Sequence, residues 1–169
     1  MLRRRDVLLA GASGVAILAA LRYGLTASTP PALADETFEV THSDAEWRKL
    51  LTPEQYKVLR QSATEAPFSS PLDFERHAGT YDCAGCALPL YSSETKYDSH
   101  TGWPSFWKPL DNAVGTTSDR SYLMTRTAVH CRRCGGHLGH VFDDGPDPTG
   151  LRYCMNGVAM TFVPKAASS

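Results

Sequence analysis

The chain has 169 residues, of which 42% are hydrophobic and 21% charged, and its formal net charge is -1. This is the composition of a folded globular protein; it excludes a disordered chain and lacks the basic excess of a nucleic-acid binder. The length predicts a single domain.

The first 34 residues read differently from the rest. Met1-Leu2-Arg3-Arg4-Arg5-Asp6 is a basic start, Val7 to Leu21 is a run of 15 apolar or small residues, and Ala32-Leu33-Ala34 is a small-x-small cleavage site. These are the parts of an export signal. A helix needs about 20 apolar residues to span a bilayer, so the run predicts a cleaved leader and no stable membrane anchor. Arg4-Arg5-Asp6-Val7-Leu8-Leu9 is similar to a twin-arginine signal, the bacterial address for proteins exported already folded. Paired arginines also occur in general secretory signals, and that route stays open. Either route makes the bacterial periplasm the expected location. Without residues 1–34 the chain carries 13 basic and 17 acidic side chains, net -4, a balance that offers nothing to nucleic acid or an acidic membrane.

The expected mature domain, 35–169, has 135 residues, enough for one core with little to spare. Ser43-Asp44-Ala45-Glu46 and Thr52-Pro53-Glu54-Gln55 are two capping boxes, the second with proline at the favoured first helical position. Each predicts a short helix of roughly ten residues. After Ala66, Pro, Gly, Asp and Ser recur every few residues and apolar positions alternate, as in Ser121 to Val129. This pattern predicts a mainly β domain of short antiparallel strands. Asp143 to Gly150 reads as a loop inside it.

Four of the five cysteines come as Cys83-Ala84-Gly85-Cys86 and Cys131-Arg132-Arg133-Cys134. Each pair places two thiols on one tight turn with glycine nearby, and two such turns make a tetrahedral site suited to zinc. Iron is a possible substitute. Disulfides and a redox dithiol are the competing readings, but neither pair has the strand-to-helix context of a thioredoxin-like motif. The long gap between the pairs means that a metal would fasten hairpins remote in sequence.

Between the pairs lies Gly102-Trp103-Pro104-Ser105-Phe106-Trp107. Its tryptophans are either core or a wall for a methyl group on sulfur. His137 and His140 follow Cys134 closely enough to be ligands, yet four thiolates already fill a zinc shell, which leaves them as acid/base candidates or structural residues. Cys154 is left unpaired, as a reactive thiol or a buried core residue. If Leu151 to Met155 is a strand, Arg152, Cys154 and Asn156 share a face. The cation would then lower the thiol pKa and the amide could orient a ligand. Two readings of the metal turns remain beside a reactive Cys154: a zinc-stabilised β module that binds a protein partner, and a disulfide-exchange protein.

Taken in order, Cys83-x-x-Cys86, Gly102-Trp103-Pro104-Ser105-Phe106, Cys131-x-x-Cys134, His137-Leu138-Gly139-His140-Val141-Phe142, Asp144-Gly145-Pro146, Pro148-Thr149-Gly150 and Arg152-Tyr153-Cys154-x-Asn156 resemble the methionine-R-sulfoxide reductases, the B-type Msr enzymes, from about Trp47 to Val163. The resemblance implies two antiparallel sheets in a tent-like arrangement and one structural zinc held by Cys83, Cys86, Cys131 and Cys134. It implies Cys154 as the nucleophile and Trp103 as the seat of the substrate methyl, with His137, His140, Asn156 and Arg152 around the pocket. We assign the acid to His140. The substrate would be methionine-R-sulfoxide in oxidised proteins or peptides, and the activity protein repair under oxidative stress. Many family members carry a resolving cysteine just before Gly-Trp-Pro-Ser-Phe, where this chain has Thr101. An external, thioredoxin-like thiol reductant is therefore expected.

Overall fold

Both capping boxes start helices. In a computed structural model, which describes residues 37–121 and 124–166, α1 spans Asp44–Leu50 and α2 spans Pro53–Gln61. Ser43 and Glu46 cap each other's backbone amides, as do Thr52 and Gln55, each cap contributing about 1 kcal/mol. α1 has seven residues rather than about ten because the position before a proline disfavours helix, which stops the chain at Leu51-Thr52. The expected export segment 1–34 lies outside the described residues, all of which fall in the unit Thr37–Ser169. Among them no helix is long and apolar enough to cross a membrane.

Among the described residues nine strands follow: β1 (Gly79–Cys83), β2 (Pro89–Ser92), β3 (Lys96–Tyr97), β4 (Ser105–Phe106), β5 (Val114–Asp119), β6 (Arg126–Cys131), β7 (His137–Phe142), β8 (Arg152–Met155) and β9 (Met160–Pro164). They pair antiparallel into a three-stranded sheet, β2-β1-β9, and a six-stranded sheet, β3-β4-β8-β7-β6-β5. The fold is mainly β with two short helices. Of the alternating run Ser121–Val129, Arg126 to Val129 lie in a strand, and Tyr122 and Leu123 lie outside the described residues. Before that strand, the Asp119 carboxylate accepts the Ser121 amide at 2.9 Å and ends β5 in a turn.

The core is aromatic. Phe106 on β4 stacks on Tyr91 of β2 at 4.3 Å and meets Tyr81 of β1 edge-on at 4.9 Å, and all three are fully buried. Each such side chain contributes about 1.5–3 kcal/mol by leaving water. Met155 lies under them and accepts the Tyr91 hydroxyl on its sulfur at 3.1 Å. Met155 ends β8, so this packing anchors the strand whose other face carries Cys154.

Candidate functional site

β8 lies between β4 and β7, and its alternation divides it. Met155 packs inward, while Arg152 and Cys154 face a cavity. Register carries that face across the sheet. Cys154 stands opposite Ser105 on β4 and His140 on β7; His140 stands opposite Ala128 on β6, and Ala128 opposite Thr117 on β5. One step along, Arg152 faces Phe142 and Arg126 faces Asp119. Residues scattered over fifty positions thus share one surface.

The cavity holds about 230 Å³ and is lined by Thr64, Thr101, Trp103, Cys154, His140 and Asn156 together with Arg126, Gly139, Phe142 and Arg152. This is below the ~300–1,000 Å³ of pockets that take drug-sized ligands and is suited to one amino-acid side chain. Trp103 is carried by a turn that only glycine tolerates: Gly102 has φ +88, and a Cβ there would stand 2.8 Å from Pro67 and 2.9 Å from the Phe68 ring. The Trp103 indole N–H donates to the Glu65 carbonyl at 3.2 Å.

In a regular strand His137 and His140, three apart, would point to opposite faces. β7 contains a bulge instead. Val129 pairs with Gly139 but His130 with His137, so Leu138 is an extra residue, and the two imidazoles come together edge to face at 5.4 Å. Both the backbone N–H and the side-chain amide of Asn156 donate to the Leu138 carbonyl, at 2.8 and 3.0 Å, and pin the bulge. The Asn156 carbonyl oxygen accepts the Glu65 amide at 2.9 Å. Asn156 therefore lines the cavity with both ends of its amide engaged.

His140 Nε2 lies 2.8 Å from Asp119, whose carboxylate also accepts Arg126 at 2.7 Å. The Ser121 amide first, and then His140, hold the Asp119 carboxyl well below the usual carboxylate range. His137 is not among the cavity-lining residues. It is 8% exposed, its Nε2 is buried with no hydrogen-bond partner among the described residues, and burial, with His140 adding to it, lowers its pKa to about 4. His137 is thus neutral at ordinary pH and backs the His140 ring.

Arg152 acts on the Cys154 thiol in the expected direction, favouring the thiolate, but burial outweighs it. Its guanidinium is held in a two-pronged pair with Asp144, both bonds 2.8 Å, and lies over the Phe142 ring at 4.4 Å. Burial pushes the Cys154 thiol above its ordinary value and outweighs Thr101, Arg152 and Ser105, which favour a thiolate. Glu65, Asp119 and Arg126 were missed in the sequence. They carry no spacing signal and reach the site only through a loop and the β5–β6 register.

The paired cysteines meet apart from this cavity. Cys83 ends β1 and Cys86 follows it, Cys131 ends β6 and Cys134 follows it, and the four sulfurs all lie within 4.8 Å of one another. The separations of Cys83 from Cys134, 3.7 Å, and of Cys86 from Cys131, 3.5 Å, are far beyond the ~2.05 Å of a disulfide. Thiolates about 2.3 Å from a tetrahedral ion lie about 3.8 Å apart, so the donor set fits a metal of zinc's size. In the second turn Gly135 takes the positive φ, +68. In the first, Ala87 at +55 does so, and not Gly85.

A mainly β frame with one cluster of four thiols and one separate thiol in a side-chain-sized cavity defines a class in which sulfur is divided between scaffold and site. Comparison with known proteins is specific within that class. Residues 51–164 match the SelR domain. Peptide methionine sulfoxide reductase MsrB of Leptospira interrogans is 53% identical over 126 residues, covering 74% of this chain and 96% of the relative. The proteins of the same name from Methanosarcina barkeri and Agrobacterium fabrum are 54% and 52% identical, covering 73% and 75% of this chain and 87% and 94% of theirs. The chain belongs to the SelR-domain family of peptide methionine sulfoxide reductases.

Proposed function

We propose that the protein reduces methionine-R-sulfoxide, in proteins or peptides, to methionine, with Cys154 as the nucleophile. The observation that carries this reading is the adjacency of Cys154 and His140 on neighbouring strands, opening on one small cavity walled by Trp103.

The substrate methyl packs against Trp103 and Phe142, where dispersion and sulfur–aromatic contact favour it. Cys154 attacks the sulfoxide sulfur while His140, braced by Asp119, protonates the oxygen, because an unprotonated oxygen is a poor leaving group. The balance is neutral: thiol plus sulfoxide gives sulfenic acid plus thioether, and the proton lost from Cys154 is matched by the one gained on oxygen. Thr101 offers no second thiol, and the other four cysteines are clustered away from the cavity. Two external thiols, from a thioredoxin-like protein, therefore reduce the sulfenic acid, giving water, their own disulfide and free Cys154.

Cys83, Cys86, Cys131 and Cys134 would hold a zinc ion that supplies a structural cross-link. Residues 1–34 are read as a twin-arginine-like leader, which lets the thiols bind metal in the cytoplasm before the protein reaches an oxidising periplasm.

The test is an assay of the mature chain with each epimer of a methionine sulfoxide peptide and dithiothreitol, beside Cys154→Ser. The R epimer is expected to be consumed, the S epimer spared, and the variant inactive. One turnover without reductant should add one oxygen at Cys154 and form no internal disulfide. Turnover by Cys154→Ser, or of the S epimer alone, would refute the reading.

A further inference from the structure

Three hydroxyls run in single file from the Cys154 sulfur. Thr101 Oγ1 lies 3.8 Å from Sγ, Ser99 Oγ 2.8 Å from Thr101, Ser105 Oγ 2.7 Å from Ser99, and the Trp103 carbonyl 3.0 Å from Ser105. A hydroxyl has one proton to donate, and a carbonyl can only accept. Ser105 gives its proton to the carbonyl and so accepts from Ser99. Ser99 in turn accepts from Thr101. Thr101, its proton directed at Ser99, can only accept from the sulfur. We propose that Thr101, Ser99 and Ser105 form a polarised hydroxyl relay that holds the proton on Cys154 in the free enzyme and must reverse when the sulfur ionises.

After reversal Thr101 donates to the thiolate, Ser99 to Thr101 and Ser105 to Ser99, and the Trp103 carbonyl loses its donor. No proton leaves the three hydroxyls; each turns from one neighbour to the other. The proton lost by sulfur is the one balanced at the sulfoxide oxygen, and in that catalytic sense the relay rests on the proposed reductase reading. Ser105 is fully buried and stands opposite Cys154 in the β4–β8 register, so the file is shielded from water at its inner end. The relay also joins the ionisation of the sulfur to the backbone of Trp103. These three are positioning residues, acting through the sulfur.

Other charged or titratable groups face Cys154 from every packed element: Arg152 with its partner Asp144, His140 on β7, Arg126 on β6 with Asp119 on β5, and Tyr97 on β3. None is altered by changes in the relay. The experiment follows alkylation of Cys154 by iodoacetamide against pH in the metal-loaded chain, read by mass spectrometry of the Cys154 peptide. Ser99→Ala removes the acceptor of the Thr101 proton, and Ser105→Ala removes the acceptor of the Ser99 proton so that Ser99 can turn toward Thr101; each frees the Thr101 proton for the thiolate, and a hydrogen bond to a charged group is worth enough to lower the midpoint by about one unit. Thr101→Val removes the relay hydroxyl that stands 3.8 Å from the sulfur and should shift the midpoint upward, slowing alkylation about tenfold at pH 7. Ser99 is only half-buried, so Ser99→Ala keeps the test alive if Ser105→Ala folds poorly. Shifts of one sign in all three variants, or none in any, would overturn the relay. Because alkylation needs no sulfoxide, an inactive parent would overturn the reductase reading while leaving these profiles to judge the relay alone.

Discussion

His137 shows what the small cavity requires of the residues behind it. The imidazole is buried, lacks a hydrogen-bond partner at Nε2 among the described residues and touches His140. Protonation would put a cation into that space, and this is why its pKa falls to about 4. A depressed folded-state pKa means that the unfolded chain takes up the proton first, near pH 6.5. The His137 contribution to stability is then complete above about pH 6.5 and lost as pH falls through 4, roughly 3 kcal/mol in all. His137→Gln should remove that slope. Urea midpoints of parent and variant at pH 7 and pH 4.5 check it, with loss of thiol-bound metal common to both chains. An equal acid loss in the two would show that the imidazole is not the titrating group. In the sequence both histidines were visible as chemical candidates. What separates them is the extra residue in β7 and the carboxylate of Asp119, and neither has a signature in one dimension.

Among the elements, the chain after Cys154 depends on a loop far away in sequence. The 3-10 turn Gly157–Ala159 has no cap from its own N-cap residue, Asn156. Glu65 supplies it: its carboxylate accepts Gly157 N at 2.5 Å and Val158 N at 2.9 Å. The backbone of the same residue takes the Trp103 indole N–H and gives its amide to Asn156. One loop residue therefore ties the strand of the thiol to the aromatic wall. Burial raises the Glu65 pKa while those two amides oppose it, so the carboxylate is held in place at a desolvation cost. Glu65→Ala should cost about 1–2 kcal/mol of stability, the loss of a helix cap. It should also raise KM for a sulfoxide peptide more than it lowers kcat, since Trp103 and Asn156 move and the sulfur does not. Glu65→Gln keeps one acceptor oxygen and should recover most of both. Thermal melts and initial rates on the three chains decide the matter, and a Gln variant as damaged as Ala would count against a hydrogen-bonding role.

At the level of the whole molecule, the four-thiol cluster joins the two sheets, because β1 belongs to one and β6 to the other. That cross-link was legible from two spaced Cys-x-x-Cys turns, as were the helix starts from their caps and the β class from alternation and turn residues. Cys154 and Trp103 were singled out by an odd cysteine count and an unusual aromatic loop. The pairing order of short strands was not legible, since two-residue strands such as β3 and β4 are set by tertiary contacts and not by local pattern. α2 packs against the cluster as well: Arg60 donates to the Cys134 carbonyl at 2.9 Å and lies over the Trp47 ring at 4.8 Å. A Cβ at Gly136 would stand 2.8 Å from Leu59. Loss of an ion held there would thus release both sheets and the helix together, and binding of a structural zinc by four thiolates is worth about 10–16 kcal/mol in small domains. A domain of this size has only about 5–15 kcal/mol of net stability to lose. Elemental analysis should find one metal per chain, and chelation should lower the melting temperature and erase the β signal cooperatively while Cys154 becomes fully reactive to alkylation. Cys86→Ser, at the half-buried corner of the cluster, should reproduce that state without chelator. A chain that keeps its melting temperature and its protected Cys154 after complete metal removal would show that the aromatic core alone holds the sheets together.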